Sequence, residues 1–415
     1  MTLNSGNRAL FCALWALFAL SSSGGGVGAA AVQAQSKAPA PTPVPGWDSF
    51  TDSLRAYATA DRIYGASAVL MRNGRVIRHL EIGLADRDSM QKVDDRTIYH
   101  WASVTKTLTA VAIMQLRDRG KLSLDDKVTT WVPEIRQVHN QYGSMDDITI
   151  RMLLSHVSGL QNPTWPYGSG KSWEPFEPTT WDQLVAMMPY QEIHFPPGSK
   201  YSYSNPAFIY LARIIEAITG DPYQSYIQKN IWTPLGMTRS YFGATPYFLA
   251  ADRANSYAIE RDSAGHQTVV TYGRDFDPGI TIPNGGWNAP VADVVTWVAF
   301  LTNASRGDTA LARRYETVLR HSTLEEMWRP ARLSGGGVGP FGLSFTVDSL
   351  AGSTLVGHTG SQAGFRLFLS LNPATSDAYI IAFNTANDDS PDPAPFQAMM
   401  RSAAAMLAYK AQRQP

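Results

Sequence analysis

The sequence is short of several features that would settle its class early. It holds one cysteine in 415 residues, which excludes an intrachain disulfide, a cysteine-based zinc site and an iron–sulfur cluster. Neither charge is in surplus: 35 Lys+Arg balance 35 Asp+Glu, for a formal net charge of +0. A general nucleic-acid binder needs an electropositive surface, and neither this balance nor any basic run supplies one. There is no G-x-S-x-G, the strand-to-helix elbow that carries the nucleophile of α/β-hydrolases, and no repeat period. What is present is a globular composition, 44% hydrophobic and 17% charged. At about 100–200 residues per domain, the length admits two or three modules or one large elaborated domain. A small neutral substrate or a covalent chemistry is favoured over a polyanion.

The N-terminus has one basic residue, Arg8, then the apolar run 9–20 (ALFCALWALFAL) and a small-residue stretch ending at Val32-Gln33-Ala34. This is the layout of a secretory signal peptide over residues 1–34. The run would cover only about 18 Å as a helix, short of the roughly 30 Å of a bilayer core, so no transmembrane anchor is expected in the mature form. Cys12 follows Phe11, not the small residue that lipidation requires. Export to the periplasm or medium is expected, with a Pro/Ala-rich linker over residues 35–46 and one domain over residues 47–410.

Within that domain, Trp47–Tyr64 reads as a helix. Ser67–Met71 and Arg75–Ile82 flank Asn73-Gly74, a two-residue hairpin turn. A long helical middle follows, with Trp-, Pro- and Gly-rich loops around residues 161–177. Strands return at Phe341–Val347, Ser353–Gly357, Phe365–Leu371 and Ala378–Phe383, and Pro395–Lys410 reads as a closing helix. Strands at both ends with helices between predict an α+β fold. One antiparallel sheet would be built from both ends of the chain, flanked by N- and C-terminal helices, with a large, mostly helical insertion.

Ser103-Val104-Thr105-Lys106 matches S-x-x-K, and so does Ser89-Met90-Gln91-Lys92. Only the first opens an apolar run at helical spacing, through Leu108, Val111, Ile113 and Leu116 to the stop signals Arg117, Arg119 and Gly120. A serine there has free amide N–H groups and the positive end of the helix dipole beneath its oxygen. A lysine three residues on lies on the same face, and burial would make its amine a base. Tyr203-Ser204-Asn205 stands on a loop between Pro196-Pro197-Gly198 and Pro206, where a phenol and an amide can be presented to a substrate. His358-Thr359-Gly360 follows the strand Ser353–Gly357 and leads into Ser361. Glycine there lets a ligand approach the backbone. Gly170-Lys171-Ser172 suggests a phosphate loop, but Trp165 stands where the first glycine must be. The histidines show no ligand spacing, so neither metal nor cofactor is expected.

The ordered set S-x-x-K, Y-x-N and H-T-G resembles the serine β-lactamase and penicillin-binding-protein-like hydrolases. That group holds class C β-lactamases, D-Ala-D-Ala carboxypeptidases, D-aminopeptidases and carboxylesterases. Leu153–Leu160 (LLSHVSGL), Phe195–Ser199 and Pro234-Leu235-Gly236-Met237 are similar to further family segments, and Phe341-Gly342-Leu343 sits where the family has a strand. The resemblance implies that Ser103 is acylated, that Lys106 and Tyr203 share the general-base role, and that Asn205 binds the acyl side chain. It further implies an oxyanion hole from the N–H groups of Ser103 and Ser361, with His358, Thr359 and Gly360 on the opposite wall. The β-lactamases usually carry lysine where His358 stands, which shifts the expected substrate from a β-lactam to a small ester, amide or peptide. Arg366 is a candidate for the missing cation. A true β-lactamase is the alternative within this class, and a non-catalytic penicillin- or peptidoglycan-binding or sensor module with the same fold is the alternative of another class.

Overall fold

The computed structural model describes residues 43–160, 178–262, 264–388 and 390–408. The signal segment 1–34 with Cys12, the linker up to residue 42, the 161–177 loops with Gly170-Lys171-Ser172, and the last two residues of the expected C-terminal helix lie outside the described residues.

The chain opens with α1 (Trp47–Ala60), then β1 (Gly65–Arg72) and β2 (Arg75–Asp86). Asn73 and Gly74 close that hairpin at φ 45° and 67°, the paired positive values of a type I′ turn, whose twist matches the strands it joins. Next come β3 (Gln91–Lys92), β4 (Ile98–His100), α2 (Thr105–Asp118), α3 (Pro206–Thr219) and β5 (Trp287–Pro290). The chain returns through β6 (Thr346–Leu350), β7 (Ser353–Gln362), β8 (Phe365–Asn372) and β9 (Asp377–Phe383) to α4 (Ala394–Ala408).

Seven strands form one sheet in the order β3-β2-β1-β9-β8-β7-β6. β1 pairs antiparallel with β9, Ala66 opposite Phe383 and Leu70 opposite Tyr379. The sheet is therefore built from both ends of the chain, as the two groups of short strands predict. Strand alternation divides β8 between two cores. Phe368 packs on Phe396 of α4 beside Tyr57 of α1, while Leu367, Leu369 and Leu371 join the larger core that contains α2.

α2 is buried from Thr105 through Leu116, polar residues included. A helix covered on all sides runs through a core, not over it, and its first turn holds the S-x-x-K motif in a fixed place.

Three expectations need correction. α1 ends at Ala60, not Tyr64, because Arg62 takes φ 57° and the Ile63 N–H folds back to the Ala58 carbonyl at 2.9 Å. The expected strand at Phe341–Val347 is a tight turn until Thr346. Ser344 stands at φ 74°, the Gly342 N–H donates to the Phe345 carbonyl, and a Cβ on Gly342 would lie 2.2 Å from the Met327 carbonyl oxygen. Its apolar alternation comes from packing a turn onto backbone. β7 continues past Gly357 to Gln362, so His358-Thr359-Gly360 lies inside the strand rather than after it.

Candidate active site

Ser103 sits in a single 3-10 turn, Ala102–Val104, which feeds directly into α2. The turn is pinned through Trp101, the residue ahead of it. The Trp101 N–H donates to the Trp287 carbonyl at 2.6 Å, and the Trp101 indole N–H to the Ala289 carbonyl at 2.9 Å. Ala102 has φ 45°, a conformation that alanine rarely takes and that costs about 1–3 kcal/mol when the surroundings impose it. The half-buried nucleophile candidate thus stands on a strained, over-determined turn.

Lys106 is completely buried. Its Nζ lies 3.1 Å from the Ser103 Oγ and donates to the Asn284 carbonyl at 2.7 Å. It also lies 4.9 Å from the centre of the Tyr203 ring and 5.6 Å from that of Phe208. Keeping an ammonium there costs several kcal/mol of desolvation, and ring contacts return only about 0.5–2 kcal/mol each. Burial therefore holds the Lys106 amine well below its usual pKa of 10.5. The neutral amine has two N–H groups and one lone pair, and the lone pair is available to the Ser103 hydroxyl.

Tyr203 is carried by the loop ahead of α3, with Pro206 as that helix's first residue and Asn205 as its N-cap. Burial raises the pKa of the Tyr203 phenol, and the neighbouring Ser103 hydroxyl lowers it by less. Its ring stacks on His156 at 4.3 Å and 29°. Phe341 lies 6.1 Å away and His358 6.2 Å away, the two rings themselves 5.8 Å apart.

His358 is 2% exposed and its Nδ1 donates to the Thr359 carbonyl at 2.6 Å. Burial pushes its pKa down to about 3, against a smaller opposing effect of that bond. The ring is neutral, its bare Nε2 buried without a partner among the described residues. Thr359 and Ser361 are exposed, and Gly360 is buried.

Gly360 serves a purpose different from the one its position in the sequence suggests. A Cβ there would meet the Trp101 carbonyl oxygen at 2.5 Å, the Ala102 Cβ at 3.2 Å and the Ser103 nitrogen at 3.2 Å. What approaches the strand is the turn that carries Ser103. Gly360→Ala is expected to push β7 off that turn and to lower turnover by about 10²–10³-fold, the usual cost of disturbing an oxyanion site. Steady-state kinetics on variant protein with unchanged circular dichroism checks this. Retained turnover would mean that the two backbones need not touch.

The structure thus brings Ser103, Lys106, Tyr203, His358 and Gly360 together. It removes Arg366, whose guanidinium is held by Asp388 and reaches the Tyr57 hydroxyl, on the α1 side of the sheet. The second S-x-x-K is also excluded: Ser89 and Lys92 are exposed, and Ser89 donates its N–H to Asp86 at the end of β2.

Several neighbours were not legible beforehand. The Asn284 carbonyl acts through its backbone, which no side-chain pattern reveals. Phe341 and Tyr201 stack at 5.4 Å and 12° and extend the aromatic wall around Tyr203 and His358. His100 is buried three residues before Ser103, with Nδ1 2.9 Å from Asn288 Oδ1 and Nε2 3.1 Å from Gln362 Oε1. It ties β4 to β5 and to the end of β7. Among the described residues no group of three or more His, Cys, Asp or Glu is arranged to hold a metal.

Known proteins resemble this chain in sequence and in fold. The family model described as Beta-lactamase matches residues 50–404. Protein flp of Staphylococcus aureus is 28% identical over 329 residues, which cover 78% of this chain and 60% of that protein. The chain therefore spans less than two thirds of that relative. A D-stereospecific amidohydrolase from Streptomyces sp. superimposes with a TM-score of 0.65 at 25% identity, covering 86% of this chain and 98% of its own. A class C beta-lactamase superimposes with a TM-score of 0.67 at 19% identity, covering 88% and 97%. That last likeness speaks for the fold alone.

Proposed function

The chain belongs to the beta-lactamase family, and from that premise we propose that it is an exported serine hydrolase acting through an acyl-enzyme on small, neutral esters or amides. One observation carries the reading. The Lys106 amine is buried, kept neutral by its surroundings, and 3.1 Å from the Ser103 hydroxyl. Ser103 Oγ attacks the substrate carbonyl while its proton passes to the Lys106 lone pair. The oxyanion is taken by the Ser103 and Ser361 N–H groups. Tyr203, protonated at rest because burial raises its pKa, gives its proton to the departing alkoxide or amine and recovers one from Lys106. Water then attacks the Ser103 ester by the same route in reverse, with Asn205 holding the acyl side chain.

The neutrality of His358 supports the substrate class. A permanent cation at that position suits a carboxylate, as in a β-lactam. A buried imidazole with its pKa near 3 does not. Export is proposed on the sequence of residues 1–34 alone. A panel of p-nitrophenyl butyrate, a D-amino-acid amide, a D-Ala-D-Ala peptide and nitrocefin tests the class. The ester and the amide are expected to give the highest kcat/KM. Nitrocefin turning over fastest would make the protein a true β-lactamase and overturn the reading of His358.

A further inference from the structure

His156 enters no step above, yet it is fully buried beside the reacting groups. The helix Ile150–Leu154 ends in a Schellman motif. The Val157 N–H donates to the Met152 carbonyl at 3.0 Å, and the His156 N–H closes back on the Leu153 carbonyl at 3.3 Å. His156 occupies the left-handed position of that motif, φ 58°, where glycine is the default. A side chain retained there, against the backbone's preference, calls for a reason.

The reason lies in what His156 holds. Its carbonyl accepts the Ser202 N–H at 2.9 Å, and its Nδ1 accepts the Ser204 N–H at 3.1 Å. Its ring stacks on Tyr203 between them, at 4.3 Å. The residues on either side of Tyr203, and its ring, are thus all held by one residue. Because a backbone N–H can only donate, Nδ1 must be the bare nitrogen, which fixes the neutral Nε2–H tautomer. Phe341 stands edge-on to the same ring at 5.1 Å and fixes its plane.

Resting on the reading of Tyr203 as the proton shuttle, we propose that His156 is a positioning residue that sets the Tyr203 hydroxyl against Ser103. The backbone carbonyl would serve in any residue, but the acceptor nitrogen and the stacking ring are needed at once, and few side chains supply both. Phenylalanine keeps a ring without the acceptor, and asparagine tolerates the left-handed backbone and offers an acceptor without the stack.

The test is a double-mutant cycle. His156→Phe and His156→Asn are each expected to lower kcat by about 10–100-fold, the scale of an ångström's misplacement, with KM changed far less. In a Tyr203→Phe background, itself slowed by about 10²–10⁴-fold, neither should cost anything further. Equal losses in both backgrounds would show that His156 does not act through Tyr203 and would overturn this inference alone. A Tyr203→Phe enzyme at full speed would overturn the role of Tyr203 and this inference with it. A second readout needs no variant: ¹⁵N-histidine spectra of the wild type should show His156 as the Nε2–H tautomer, and an Nδ1–H signal would refute the grip on Ser204.

Discussion

Ser103→Ala should abolish acylation and reduce hydrolysis of a p-nitrophenyl ester by at least about 10⁴-fold, the scale seen when a covalent nucleophile is removed. The fold should survive. Ser103 is half-buried, its turn is anchored through Trp101, and the Thr105 hydroxyl donates to the Ala102 carbonyl at 2.6 Å whether or not the serine oxygen is there. Ser89→Ala, in the other S-x-x-K, should leave rates unchanged, because that serine is exposed beyond the end of β2. Equal losses in the two variants, read by stopped-flow or steady-state assay, would place the chemistry elsewhere.

Lys106→Met should be nearly as inactive, losing about 10²–10⁴-fold as general-base variants do, while Lys92→Met stays active. The stability effect has the opposite sign. The unfolded chain protonates this lysine up to its usual pKa of 10.5, and the folded chain, with that pKa lowered by burial, does not. The unfolded state therefore binds more protons between the two values, and stability rises with pH across that window. Methionine removes this pull, so the variant should melt higher than wild type near neutral pH, the gap closing as pH approaches 10.5. Wild-type kcat/KM should rise with pH through the lowered lysine pKa and already be on its plateau well below 10.5. A rising limb near 10.5, or a methionine variant less stable than wild type throughout, would contradict a neutral Lys106.

Much of this site was legible because its chemistry sits in side chains at fixed spacings. The S-x-x-K that opens a helical apolar run is the one that meets Tyr203 and His358. The two groups of short strands, more than two hundred residues apart, do join in one sheet around the β1–β9 pair. What was illegible was carried by backbone. Gly360 reads as room for a ligand, but the space is filled by the Trp101 carbonyl and the Ser103 nitrogen, a contact between residues far apart in the chain. Phe341–Phe345 alternates apolar and small residues like a strand, yet all five are buried in a turn with Ser344 at φ 74°. Arg366 reads as a free cation near the motif. The strand's alternation sends it to the far face of the sheet, where Asp388 takes it. His156 stands among small residues and hydrophobics in LLSHVSGL, and only its left-handed backbone brings it under Tyr203.

In the proposed reaction Ser103 becomes covalently acylated. Treating the wild-type protein with a fluorophosphonate, then digesting and mapping by mass spectrometry, tests it directly. One adduct per chain is expected, on the peptide containing Ser103, absent from Ser103→Ala and strongly slowed in Lys106→Met. An unlabelled wild type, or an adduct on another serine such as Ser89, would contradict it.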